Sequence, residues 1–167
     1  MEDLEASSEY FYNNVHEYYS EICSRRSLYI DAINNILCSY FLDVESLLDI
    51  GTGDGKRIRN ILKRAKPYPR LITCLEPNAN FFNLLNTELL SFNSVNLFNC
   101  SIQQFHTRTT YSHITALWNV IGHVPNVQDC LNKIFSLLQK DGMFMFDVNN
   151  RFNISYYGPK NILKNTY

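Results

Sequence analysis

Two different patterns of apolar residues divide the chain near residue 41. Before that point, apolar side chains recur every three or four positions, as at Phe11, Val15, Tyr18 and Ile22, which is the spacing of one helix face. We therefore predict that residues 8–41 are helical. The organisation expected from this change of pattern is a helical segment at residues 1–41 and a folded domain at residues 42–167.

Beyond residue 41, short apolar runs alternate with amphipathic stretches of helical length. Strands are predicted at residues 46–50, 71–75, 95–100, 114–118 and 143–148. Helices are predicted at residues 56–64, 80–90 and 127–140, and Asp141-Gly142 is typical of a helix stop and a turn into the fifth strand. This alternation predicts an α/β fold with a doubly wound, mostly parallel sheet. Such sheets bind ligands beyond the carboxyl ends of their strands.

Composition argues against several classes of function. The chain has 15 basic and 16 acidic residues, a net charge of −1, so we expect no nucleic-acid partner. The five cysteines form no CxxC pair and the four histidines show no ligand spacing, so neither a disulfide framework nor a metal site is expected. The acidic start and the lack of an apolar run of about 20 residues predict a cytoplasmic protein without a signal peptide or membrane span.

Three glycines follow the first predicted strand at every second position, in the stretch DIGTGDG of residues 49–55. Glycine there permits a tight turn or a close approach of a ligand to the backbone. A phosphate-binding P-loop is excluded, because Ile50 and Arg57 stand where its first glycine and its hydroxyl belong. A dinucleotide fingerprint fits poorly, because Lys56 takes the place of its third glycine. An NAD-dependent oxidoreductase and a plain strand-to-helix turn remain as alternatives.

The same stretch resembles the first motif of class I S-adenosylmethionine-dependent methyltransferases, in their small-molecule branch. The resemblance implies a Rossmann-like fold with S-adenosylmethionine as cofactor. It assigns to the cofactor the loop residues Asp49, Gly51, Thr52, Gly53 and Gly55. A Cβ atom at Gly51 or Gly53 would collide with the cofactor, and the Asp49 carboxylate would accept hydrogen bonds near its amino group.

Later strand ends resemble the family's motifs in order and spacing. Glu76 ends the second strand and is expected to accept both ribose hydroxyls, the alternative being an acid that caps the next helix. The other residues that the resemblance places beside the cofactor are Pro77, Asn78, Ser101, Ile102, Gln103, Trp118, Asn119 and Val120. Ile102 is equally well explained as an apolar anchor of its loop.

Residues near the acceptor end are more ambiguous. His123 is a candidate catalytic base, since the ordinary histidine pKa is about 6.5, although a role in holding the next helix is the simpler explanation. Arg151 and Asn149 follow the fifth strand as candidate substrate-binding residues, and Arg151 would pair with a carboxylate or phosphate, or with a nearby acid. Aromatic residues of the N-terminal segment, which resembles the family's lid, would cover the cofactor or simply pack.

These patterns predict in-line methyl transfer from S-adenosylmethionine to a small-molecule acceptor. A cofactor-binding module without turnover is the first alternative and the oxidoreductase is the second. The family's sheet has seven strands and this chain shows five, so a C-terminal hairpin is expected to be missing. The open edge of the fifth strand would then be covered by a missing carboxy-terminal segment, by the tail or by the second subunit of a homodimer.

Overall fold

Helices precede the sheet, as the sequence predicts. The computed structural model describes residues 10, 12–15, 18–41, 44–64 and 69–149. Residues 12–15 are helical, helix α1 spans Tyr19–Ser24 and helix α2 spans Ser27–Tyr40. The helix is not continuous, because a turn at Arg25 and Arg26 separates α1 from α2, with φ −117° and ψ 18° at Arg26.

A parallel sheet of five strands lies at the centre of the described part of the chain. The strands are β1 Ser46–Ile50, β2 Leu71–Leu75, β3 Val95–Phe98, β4 Tyr111–Ala116 and β5 Leu138–Phe146. Their order is β3-β2-β1-β4-β5, and each neighbouring pair is parallel. The predicted α/β fold is confirmed. Because the order reverses between β1 and β4, the topological switch point lies at their carboxyl ends.

Helices cover both faces of the sheet. They are α3 Lys56–Arg64, α4 Ala79–Leu89 and α5 Val127–Leu137, with a short 3-10 helix at Val120–His123 before α5. Helices α2, α3 and α4 share one apolar core with the sheet, and α5 shares the other with the loop after β3. Along β1, Leu47 packs into the first core and Leu48 into the second. Since strand side chains alternate, Asp49 faces the side of α3.

The ends of four elements, β3, β4, α5 and β5, differ from the prediction. Strand β3 ends at Phe98, and β4 begins earlier, at Tyr111, whose buried hydroxyl donates to Thr73 Oγ1 at 3.0 Å. Helix α5 ends at Leu137 and β5 begins at Leu138, so the predicted helix end at residue 140 and strand start at residue 143 are wrong. Asp141, with φ +62°, lies where the register between β4 and β5 shifts. The Asp-Gly pair therefore marks a bulge within a strand.

Candidate active site

The loop between β1 and α3 has a left-handed backbone at each of its glycines. At Gly51, where φ is +66°, a Cβ atom would lie 2.5 Å from Cγ2 of Val120, so the protein itself fills that space. At Gly53, where φ is +67°, no atom lies within 4 Å of the Cβ position. Bare backbone therefore borders open space at Gly53, and this is where a ligand can approach the loop.

Glu76 reaches this loop from the end of β2. Its Oε2 accepts a hydrogen bond from the Gly53 N–H at 2.8 Å, and its Oε1 accepts one from the Asn78 N–H at 2.9 Å. Burial raises the pKa of this carboxyl, while the N–H groups of Asn78 and Gly53 lower it. Each carboxylate oxygen keeps a lone pair for a further donor. The structure thus brings together Gly53 and Glu76, two residues that the sequence analysis singles out.

Asn78 and Pro77 extend the same edge. Asn78 caps α4, since its side-chain oxygen accepts from the N–H groups of Asn80 and Phe81, each at 3.1 Å. The capping role that the sequence left open for Glu76 therefore falls to Asn78. Pro77 is exposed beside it.

Asp49 lies beneath the loop and is fully buried. Both of its carboxylate oxygens accept from Nη2 of Arg57 at 2.9 Å, and Oδ1 also accepts from Thr115 Oγ1 at 2.5 Å. The carboxylate charge is thus balanced within the protein, and its contact with a cofactor amino group stays a prediction. Thr52 is buried above it and donates from its hydroxyl to the Asp49 main-chain oxygen at 3.2 Å.

Sequence reasoning missed both partners of Asp49. Thr115 belongs to β4, and its register opposite Asp49 is known only once the strand order is known. Arg57 lies in the first turn of α3, and the sequence analysis uses it only to exclude a P-loop. An arginine closely following an acid that is destined for burial was the available signal, because a buried carboxylate needs a cation or several donors.

The turn after β4 has a strained backbone. Trp118 and Asn119 have φ angles of +70° and +63°, in the left-handed region that costs a residue with a Cβ atom roughly 1–2 kcal/mol. The Asn119 N–H donates to Asp147 Oδ1 at 2.6 Å, and the Asn149 N–H donates to Asn119 Oδ1 at 3.0 Å. Segments that follow β4 and β5 therefore hold each other. Strain retained in this way is often found at functional sites.

Asp147 is a further residue that sequence reasoning missed. It follows the apolar run of β5 as Glu76 follows that of β2, so the same rule of an acid at a strand end would have found it. Val120, next in the β4 turn, lies against Gly51. The structure thus places the turn after β4 against the glycine loop through Val120, while the predicted contacts of Trp118, Asn119 and Val120 with a cofactor stay a prediction.

The loop after β3 supports the site from the opposite face. Ile102 is 2% exposed and belongs to the second core, so the loop-anchor explanation holds for this side chain. Gln103 is exposed, whereas Gln104 closes the turn by accepting from the Ser101 N–H at 3.1 Å. Asn99 donates to the main-chain oxygen of Glu76 at 2.8 Å, which ties this loop to the end of β2.

The N-terminal segment lies over the carboxyl edge of the sheet. The rings of Tyr12 and Tyr19 meet Phe81 of α4 edge-on, with centroids 5.9 Å and 4.9 Å away. Tyr12 also meets the His123 ring at 5.6 Å. Burial lowers the pKa of His123, which favours the neutral imidazole at pH 7. His123 therefore lies at this edge, and its role as a base stays a prediction.

Some expected features lie elsewhere. Arg151 falls outside the described residues, and Asn149 is exposed and contributes the main-chain bond to Asn119.

In the ranges that the structure describes, no three His, Cys, Asp or Glu side chains form a metal-binding group. None of the described helices is long and apolar enough to cross a membrane.

Residues 48–144 match the model of a protein family described as a methyltransferase domain. This span runs from β1 into β5 and contains the glycine loop, Glu76 and the turn after β4. A comparison with curated proteins finds no match by sequence.

Several solved methyltransferase structures share the fold. The plantazolicin methyltransferase BpumL, in complex with a triazolic desmethylPZN analog and SAH, superposes with a TM-score of 0.74 at 20% identity, covering 97% of this chain and 67% of that chain. The DhpI–SAH complex gives 0.72 at 14% identity, with coverages of 87% and 69%. SAM-bound CalS10, an amino pentose methyltransferase from Micromonospora echinaspora, gives 0.62 at 15% identity, with 79% and 56%. At these identities the likeness establishes the fold alone, and this chain spans about two thirds of BpumL.

Proposed function

The chain belongs to the methyltransferase-domain family, and from that membership we propose that it binds S-adenosylmethionine and methylates a small-molecule acceptor. The family predicted from the glycine motif is thereby confirmed. One observation carries the proposal for this site. The Glu76 carboxylate accepts the Gly53 N–H at 2.8 Å, so an acid and a stretch of bare backbone lie side by side at the carboxyl ends of β2 and β1.

The residues at this edge fit the cofactor in shape and in charge. Open space at Gly53 accommodates a ligand against the loop, and the free lone pairs of Glu76 suit the two hydroxyls of a ribose. Asn78 and Pro77 would lie beside the adenine, with Ser101 on the far side. BpumL and DhpI hold SAH and CalS10 holds SAM on the same fold, which supports this choice of cofactor.

The chain's own contribution to the reaction is orientation and the exclusion of water. When bound, S-adenosylmethionine supplies a methyl group on a positively charged sulfur, which an acceptor nucleophile takes in an in-line displacement. Trp118, Asn119 and Val120 would orient the reacting end, and Tyr12 and Tyr19 would exclude water as part of a lid. Orientation alone can supply about 7–11 kcal/mol of such a barrier. A neutral His123 would accept the acceptor's proton.

We assign the acceptor to small molecules. The net charge of −1 disfavours a nucleic-acid backbone. CalS10 is an amino pentose methyltransferase, which supports an acceptor of this class. Arg151 and Asn149 stay candidates for acceptor binding, since each follows the fifth strand.

A cofactor-binding module without turnover is the second candidate. It needs only the edge formed by the Gly53 N–H and the Glu76 carboxylate, and no acceptor site. An oxidoreductase that uses NAD is the weaker alternative, because helix α3 begins at Lys56, where the third glycine of its fingerprint would stand.

Calorimetric titration with S-adenosylhomocysteine and with NAD tests the proposal. We expect micromolar binding of S-adenosylhomocysteine, no heat with NAD, and a loss of at least about tenfold in affinity for Glu76→Gln, which removes one acceptor from a buried site. Glu21→Gln is the matched control, because Glu21 is an exposed acid on α1 that pairs with Arg25.

Absence of S-adenosylhomocysteine binding in the wild-type chain, or full binding by Glu76→Gln, would refute the site. Transfer of a labelled methyl group to small molecules of a cell extract then separates an enzyme from a binding module. Label that appears only in nucleic acid would contradict the acceptor class.

A further inference from the structure

The strained turn after β4 borders the site through its next residue. Trp118 and Asn119 are the two consecutive residues with positive φ, and Val120 lies against the glycine loop at Gly51. Any relaxation of the turn toward ordinary φ values would therefore move the wall of the site beside that loop.

The carboxylate of Asp147, at the end of β5, holds this turn. Asp147, directly after β5, accepts the Asn119 N–H on Oδ1 at 2.6 Å. Burial and, next, the charge of this carboxylate raise the pKa of the Tyr29 hydroxyl on α2, so that the phenol lies near Asp147. The Tyr29 ring in turn meets the Trp118 indole edge-on, with centroids 6.2 Å apart. Asp147 thus links the end of β5 to the turn after β4, and α2 meets the same turn through Tyr29.

We propose that Asp147 is a positioning residue for methyl transfer. By accepting the Asn119 N–H it keeps the Trp118-Asn119 pair left-handed, and so keeps the indole where the Tyr29 ring of α2 meets it edge-on. It acts through Trp118 and does not itself touch the reacting atoms. This inference rests on the proposed function only because that function identifies the site. Asp147 would hold the turn after β4 in the same way whichever ligand the site binds.

Trp118 makes the proposal measurable, because it is the single tryptophan of the chain. Asp147→Ala is expected to raise the acrylamide quenching of Trp118 fluorescence about twofold, since the turn loses its acceptor and relaxes. The far-UV circular dichroism should be unchanged. Affinity for S-adenosylhomocysteine should stay within about threefold of wild type, because Gly53 and Glu76 are untouched, while the Trp118 emission change on binding is lost.

A second substitution tests the cause. Glycine adopts positive φ without strain, so Asn119→Gly in the Asp147→Ala background should return the quenching toward wild type. Asp31→Ala is the control, since Asp31 is an exposed acid on the same helix as Tyr29 and pairs with Arg64 at 3.5 Å. If Asp147→Ala instead caused a general loss of structure, affinity for S-adenosylhomocysteine would fall and Asn119→Gly would not restore the quenching.

Unchanged quenching in Asp147→Ala, or no recovery in the double variant, would overturn the proposal. Should Asp147→Ala fail to fold, Asp147→Leu also removes the acceptor of the Asn119 N–H while it fills the space of the side chain, and it is expected to raise quenching as well. Unchanged quenching there would equally count against it. If the wild-type chain binds no S-adenosylhomocysteine, the proposed function fails, whereas the quenching comparison without ligand still decides the role of Asp147.

Discussion

At the scale of single residues, a buried ion pair between Asp49 and Arg57 lies beneath the glycine loop. Asp49 is fully buried and the side chain of Arg57 is 9% exposed. Two charged side chains are stable in a buried environment only when they pair with each other. Thr115 completes the arrangement from the neighbouring strand. The pair therefore ties the start of α3 to β1 and so fixes the loop between them.

Removal of the cation should be costly. Arg57→Met leaves the Asp49 carboxylate buried without a charged partner, and we expect a loss of about 3–5 kcal/mol in the free energy of unfolding in urea. Arg25→Met, which breaks the exposed pair with Glu21, should cost at most about 1 kcal/mol. Equal losses for the two variants would show that the buried pair has no special role. Adding Asp49→Asn to Arg57→Met should recover part of the loss.

At the scale of elements, β5 departs most from the expected geometry. Tyr111 pairs with Leu138 and His113 with Met143, so β5 carries extra residues between these two pairs. Asp141 takes up the irregularity with φ +62°. The bulge lets β5 follow α5 without an intervening loop, and it brings the strand's end, with Asp147, beside the turn after β4.

Substitution at the bulge should therefore depend on backbone conformation. Asp141→Val places a branched side chain at positive φ and should destabilise the fold by about 1–2 kcal/mol, whereas Asp141→Gly should be neutral or slightly stabilising. Lys140→Val, at the adjacent exposed strand position, is the control and should cost little. The three variants are compared by thermal unfolding. A stable Asp141→Val protein would mean that the bulge does not require this backbone.

At the scale of the whole molecule, one side of the sheet lacks a neighbour within the described residues. Strand β5 is one of the two edge strands of the sheet, the other being β3, and Met143, Phe146 and Val148 are exposed along or just after β5. A largely apolar groove of about 370 Å³ runs between α2 and β5, lined among others by Ile33, Ile36 and Leu117. An edge of this kind favours association with another chain or segment.

We therefore expect the purified chain to self-associate through this edge. Sedimentation velocity should show a concentration-dependent increase in mass, and Phe146→Lys should shift it to higher concentration by placing a charge on the edge. Phe135→Lys is the matched control, since Phe135 is 79% exposed but lies on α5. A wild-type monomer at all concentrations, or an equal effect of the control, would show that β5 is not the associating surface.

The order of elements follows from local patterns. Short apolar runs predicted five strands and helical spacings of apolar residues predicted the helices between them, because strands covered on both faces are apolar throughout and helices bury one face. Three closely spaced glycines and the acid of Glu76 marked two strand ends, since tight turns and ligand contacts restrict residue type locally. The end of α5 was predicted too late in the chain, because an Asp-Gly pair occurs in β-bulges as well as at helix ends.

The sequence by itself thus determined the fold class, the glycine loop and the acid that faces it. Only the tertiary structure decided that Arg57 and Thr115 neutralise Asp49, that Val120 fills the space at Gly51, and that Asp147 holds Asn119. Thr115 and Asp49 are 66 positions apart in the chain, and they meet because β4 pairs with β1 in one particular register. Strand order and register arise from the packing of the whole core, so no local pattern carries them.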